Sequence, residues 1–125
     1  MAVMFKSEFL TPVNVLMILG TIVLLSLGQV LFKSASTQLV VQQPMSWLSL
    51  PLLGALVIYA IATLLWLLVL TRVPLSFAFP FYGLAFLLVP VLATVVLGEA
   101  LRWQVLVGGA VILCGIAITA WGVRT

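Results

Sequence analysis

A chain of 125 residues that is 66% hydrophobic and 6% charged, with a mean hydropathy of +1.45, lacks the polar side chains needed to cover a water-soluble core. Its formal net charge of +3 comes from Lys6, Lys33, Arg72, Arg102 and Arg124 against Glu8 and Glu99. All seven stand at the ends of apolar runs or between them, an interfacial pattern that excludes a nucleic-acid footprint.

Residues 13–32, 50–70, 75–97 and 103–123 are apolar and free of charge. Each supplies the roughly 20 helical residues that a hydrocarbon core about 30 Å thick requires. Lipid offers no partner to backbone N–H and C=O groups, so each run must satisfy them internally as a helix. The chain therefore reads as one domain over residues 1–125, an all-α integral membrane protein. Its architecture is a four-transmembrane-helix bundle with helices near 13–33, 50–70, 75–97 and 103–123.

The first run follows Lys6 as a signal peptide would, but it is too long for one and no small-residue cleavage site follows, so it is expected to stay in the protein. Within it Ser26, Gln29 and Lys33 fall at i, i+3 and i+7 and share one helical face. Two readings are open for that stripe. It forms a donor-rich site for an anionic group near one interface, or Lys33 snorkels to the headgroups while Gln29 bonds a neighbouring helix.

Residues 33–47 are the one long connection, with Ser, Thr and Gln ahead of Pro44; a short amphipathic segment along the interface is expected, anchored by Trp47. Residues 71–74 leave room only for a tight antiparallel hairpin, with Pro74 near the first helical turn.

In the third run Pro80 and Pro90 remove the backbone bonds to the carbonyls of Ser76 and Phe86, and two bends are expected. Phe79, Tyr82 and Phe86 fall on one face, with Gly83 one turn from Phe79. This face suits either a groove for an apolar or sugar-bearing ligand or plain aromatic packing. Gly98 ends the run. Glu99 and Arg102, at the start of the fourth helix, can pair, with Glu99 complementing the helix dipole. The other reading has Glu99 meeting a substrate cation or exchanging a proton.

The fourth run repeats Gly108, Gly115 and Gly122 every seven residues, with Thr119 on the Gly115 face. Small residues allow close helix approach in lipid, and four helices enclose too little volume for a substrate path, so these positions are expected at a dimer interface. Whether the partner is a second copy or a related chain is open. With one cysteine and no histidine, neither a disulfide framework nor a metal site can be built within the chain; Cys114 is expected to be a small packing residue. Lys6, Arg72 and Arg124 on one side outnumber Lys33 and Arg102 on the other by three to two, which favours N- and C-termini in the cytoplasm and leaves insertion in both orientations open. The chain has no phosphate-binding glycine loop and no nucleophile with a nearby base, so neither enzymatic activity nor a cofactor is expected.

The run LWLLVLTRVPLSFAFP (residues 65–80), the segment GQVLFKSA (28–35) and GEAL (98–101) before a glycine-rich last helix resemble the four-helix members of the drug/metabolite transporter superfamily. Within it, the closest similarity is to the paired small subunits that flip aminoarabinose-phosphoundecaprenol. The resemblance spans the whole chain. It implies a dimeric flippase in the bacterial inner membrane, carrying an undecaprenyl-phosphate-linked sugar for cell-envelope or lipopolysaccharide modification.

For such a substrate Lys33, Gln29 and Ser26 would hold the phosphate, while Ser76, Phe79, Tyr82 and Phe86 would line the groove for the sugar. The polyprenyl chain would remain in lipid. A small multidrug or metabolite exporter is the rival reading. The small multidrug exporters depend on an acidic residue in the first helix, one turn before the glycine matching Gly28, and this chain has Leu25 at that position, so the carboxylate for proton/drug exchange is absent. An accessory subunit of a membrane glycosyltransferase is the third possibility.

Overall fold

The computed structural model describes residues 11–122, with side chains through Thr119. Lys6, Glu8 and Arg124, which carry part of the charge-bias argument, lie outside the described residues, as does the packing of Gly122. Four helical spans follow one another: α1 (Pro12–Ser36), α2 (Leu50–Arg72), α3 (Leu75–Leu97) and α4 (Trp103–Gly122). They form an all-α bundle whose first three members are each at least 23 residues long and strongly apolar.

Local chemistry sets the ends. Thr11 caps α1 by accepting the Asn14 N–H at 3.2 Å, and Pro12 stands in the first turn, where its missing N–H is harmless. Ser49 does the same for α2 through the Leu52 N–H at 3.3 Å. The first helix runs on to Ser36, beyond the expected 33, so Lys33 occupies its last turn, where a cation complements the negative end of the helix dipole. In the connection that follows, the expected amphipathic segment is reduced to one exposed 3-10 turn, Pro44–Trp47. Ser46 holds it by accepting the Val40 N–H at 2.8 Å.

Val73 is extended (φ −136°, ψ 152°) because the ring of Pro74 disfavours helical geometry in the preceding residue. That single residue, followed by Pro74 as the cap of α3, is enough to reverse the chain. The third span is not uniform. It starts as an α-turn (Leu75–Ala78), winds as a 3-10 helix over Phe79–Leu84, and returns to α geometry over Ala85–Leu97. Pro80 sits at the start of the 3-10 stretch, whereas Pro90 lies inside a segment that remains α-helical. The two prolines therefore stand in different settings: one at a change of winding and the other within a continuous α-helical segment.

Gly98 adopts φ 72°, a left-handed conformation that costs a glycine little, and α3 ends there. The helix does not resume until Trp103, so Glu99 and Arg102 lie in a non-helical connection. The first turn of α4 contains no acidic residue, which corrects the expectation that Glu99 opens the fourth helix and complements its dipole.

The most buried cluster joins Ile18 and Ile22 of α1, Val69 of α2, Val73, and Phe77 and Ala78 of α3. It lies where α1 begins, α2 ends and α3 begins. Away from it, α1 packs along α2 and against the second half of α3, while α4 packs against the 3-10 stretch and the remainder of α3. Many large apolar residues, among them Leu16, Leu64, Val95 and Val111, are exposed. In a multi-pass membrane protein such surface is solvated by lipid, and burial within the chain is not required of it.

Two glycines make the α3–α4 contact. A Cβ at Gly83 would come within 2.7 Å of Ile112, and one at Gly109 within 2.6 Å of Leu87. Gly108 and Gly115 instead have nothing within 4 Å of a built Cβ and are exposed on α4. Thr119 donates to the carbonyl of Gly115 at 3.0 Å, inside its own helix. Cys114 is exposed rather than packed within the chain.

Candidate functional site

Two chain reversals make α1 and α3 parallel, so both end on the same side. Their last turns flank a cavity of about 300 Å³ whose polar walls are Gln29 and Lys33 from α1 and Glu99 from just beyond α3, with Val30, Val89 and Leu97 as apolar walls. A second cavity of about 320 Å³ is lined by Gln29, Ala85, Phe86, Val89 and Pro90 and is almost wholly apolar. The two share Gln29 and Val89 and therefore adjoin. The seam between α1 and α3 thus carries charge at the helix ends and an apolar pocket deeper along the same helices. Gln29 stands at the junction, one helical turn, about 6 Å, below Lys33.

Gln29 is held from the side by α2. Its Nε2 donates to the hydroxyl of Tyr59, and the Tyr59 ring lies against Gly28, where a Cβ would come within 2.6 Å of a ring carbon. Phe32 flanks the same ring with centroids 4.9 Å apart. The interhelical bond that was one of two readings for Gln29 is therefore present, and Gln29 lines both cavities as well. Tyr59 was not among the expected site residues. The signal available in the sequence was a glycine next to Gln29 and a lone phenol in the following apolar run.

Ser26 does not join Gln29 and Lys33. It is fully buried and donates to the carbonyl of Ile22 at 2.7 Å, the usual way a hydroxyl is satisfied inside an apolar helix. The expected aromatic face also divides. Ser76 and Phe79 line a different cavity, about 550 Å³, with Leu75 and Pro80 at the other end of α3.

Tyr82 stacks on Trp66 of α2 at 4.5 Å and meets the edge of Phe79 at 5.3 Å. Phe86 alone reaches the Gln29 cavity. The winding of α3 explains the division. A 3-10 helix turns about 120° per residue against about 100° in an α-helix, so the six residues of the stretch rotate Phe86 by roughly 100° relative to Phe79 compared with a uniform helix.

Arg102 is exposed in the connection before α4 and is not a wall of either seam cavity. What the seam offers chemically is one cation, one carboxylate and one amide around a space large enough for a small polar head, opening beside an apolar pocket. Among the described residues no group of three or more metal-ligating side chains is present.

Residues 3–121 match the family model described as the EamA-like transporter family. The chain is also 38% identical, over 120 residues covering 86% of it and 94% of the relative, to the probable 4-amino-4-deoxy-L-arabinose-phosphoundecaprenol flippase subunit ArnF of Erwinia tasmaniensis. No solved structure matches it.

Proposed function

Because this chain belongs to the EamA-like transporter family, we propose that it is a flippase subunit carrying an undecaprenyl-phosphate-linked sugar across the bacterial inner membrane, for cell-envelope or lipopolysaccharide modification. The observation that carries the reading is the meeting of Lys33, Gln29 and Glu99 around one cavity that adjoins an apolar one. A phosphate-linked amino sugar bears a negative and a positive charge close together, and the seam presents one group of each opposite sign.

Lys33 binds the phosphate through a charge-assisted hydrogen bond, with Gln29 as second donor. Glu99 receives the ammonium group of the sugar. The first isoprene units lie along Phe86 and Pro90, and the rest of the chain stays in lipid, so only the head must cross the apolar region. Ser26 has no place in this ligand set, its hydroxyl being satisfied by Ile22. Ser76, Phe79 and Tyr82 serve the far end of α3 and not the phosphate cavity.

The working unit is a dimer, formed with a second copy or with a related small subunit. The exposed glycine face of α4 at Gly108 and Gly115, which no side chain among the described residues covers, supports this. With both chain ends in the cytoplasm, the charged cavity lies at the outer face of the inner membrane.

The test is reconstitution in liposomes, alone and with a related small subunit. Labelled undecaprenyl-phosphate aminoarabinose is expected to become accessible from the opposite leaflet faster than in protein-free vesicles. Equal rates in both would overturn the proposal.

A further inference from the structure

We propose that Tyr59 is a positioning residue for the seam, acting through Gln29 and not by touching the substrate. The inference rests on the transport reading given above only in the identity of the ligand.

Gln29 is exposed and has three rotatable side-chain bonds, so nothing in α1 itself fixes where its amide points. Tyr59 fixes it from α2. The ring is placed by packing: it sits on Gly28, where any Cβ would come within 2.6 and 2.7 Å of two ring carbons, and Phe32 covers it at 4.9 Å. With the ring fixed, so is the hydroxyl, and the Gln29 Nε2 docks on it.

A phenol in an apolar span needs a polar partner, and here the partner is the residue shared by both seam cavities. A primary amide has two N–H donors and a carbonyl. One donor held by Tyr59 leaves the second donor and the carbonyl for a ligand, in one orientation. Tyr59 itself is a wall of neither cavity. Gly28 therefore has a role one step removed from the site: it admits the ring that holds the amide.

The experiment compares wild type, Y59F, Q29L and Y59F/Q29L in proteoliposomes with labelled undecaprenyl-phosphate aminoarabinose, measuring half-saturating concentration and maximal rate separately. Y59F keeps the ring on Gly28 and removes only the hydroxyl. It is expected to raise the half-saturating concentration about three- to tenfold, with the maximal rate and the thermal unfolding temperature close to wild type. Q29L is expected to raise it at least as much, and the double variant no further than Q29L alone, because both remove one interaction. An unchanged half-saturating concentration in Y59F, or effects that add in the double variant, would overturn the inference.

A second measurement is independent of transport. The Gln29 side-chain amide resonances, assigned by their loss in Q29L in nanodiscs without ligand, are expected to shift and broaden in Y59F. If they do not move, Tyr59 is not the holder of Gln29. Should wild type fail to move the labelled lipid while the Gln29 resonances respond to Y59F, the transport reading falls and the positioning role of Tyr59 stands.

Discussion

Lys33, in the last turn of α1, and Glu99, the residue after the left-handed Gly98, line the same cavity. Both side chains are exposed, and charges so open to solvent add little to the stability of a fold. Neither charge is committed to holding the fold, and both groups are open to a ligand whose charges complement theirs.

Replacing Lys33 with Ala is expected to lower the rate of lipid-linked sugar flipping at sub-saturating substrate by about tenfold or more, since a hydrogen bond to a charged group contributes about 1.5–3 kcal/mol. Lys33→Arg should keep most of the rate. Initial rates in proteoliposomes containing equal amounts of inserted protein decide the matter; wild-type rates for Lys33→Ala would remove the phosphate contact from the mechanism.

Glu99→Gln separates charge from shape. With the amine-bearing head, the half-saturating concentration should rise by about two- to fivefold, the range expected when a partly solvated ion pair is lost. With an analogue that carries a hydroxyl in place of the amine, the variant and wild type should agree. Equal losses with both lipids would show that the carboxylate does not read the amine.

The glycines of α3 and α4 predict two distinct phenotypes. Gly109→Ala places a methyl group 2.6 Å from the Leu87 side-chain tip and 3.3 Å from its Cβ. It should destabilise the α3–α4 contact by about 1–3 kcal/mol, read as a lower unfolding temperature in detergent. At Gly108 and Gly115 an added Cβ meets no described atom within 4 Å and both positions are exposed, so Gly108→Leu and Gly115→Leu add bulk on the outer face of α4. They should leave that temperature nearly unchanged while lowering the dimer fraction seen by cross-linking in the membrane. If both groups of variants lower the unfolding temperature alike and spare the dimer, the exposed face of α4 is not the interface.

Gly98→Ala isolates a backbone effect, because no atom lies within 4 Å of the built Cβ while φ is 72°. The cost is conformational alone, about 1–2 kcal/mol, and Gly98→Asn should cost less. Unfolding in denaturant by circular dichroism provides the comparison. The same substitution should also impair transport, because Gly98 turns the chain that carries Glu99 to the cavity.

Much of the fold was legible in the sequence because its determinants are local. The apolar run of residues 50–70, the Val73–Pro74 turn and the stop at Gly98 each follow from length, ring sterics or left-handed geometry, whatever surrounds them. The polar site was legible only in outline. Gln29 and Lys33 share a face in any helix, but Ser26 on that same stripe is turned to the carbonyl of Ile22 and buried. Periodicity assigns an angle, and it cannot say what stands opposite.

The sequence by itself determined that this chain lives in lipid as four helices, since the hydrophobic length and the near absence of charge admit no other way to satisfy the backbone. Only the tertiary structure decided which side chains work together. The 3-10 winding of Phe79–Leu84 carries Phe86 away from Phe79. The close approach at Gly28 brings Tyr59 to Gln29. The parallel course of α1 and α3 puts Glu99 and Lys33 on one cavity. These are contacts between residues remote in sequence, and their physical cause is packing, which a uniform helical period does not encode.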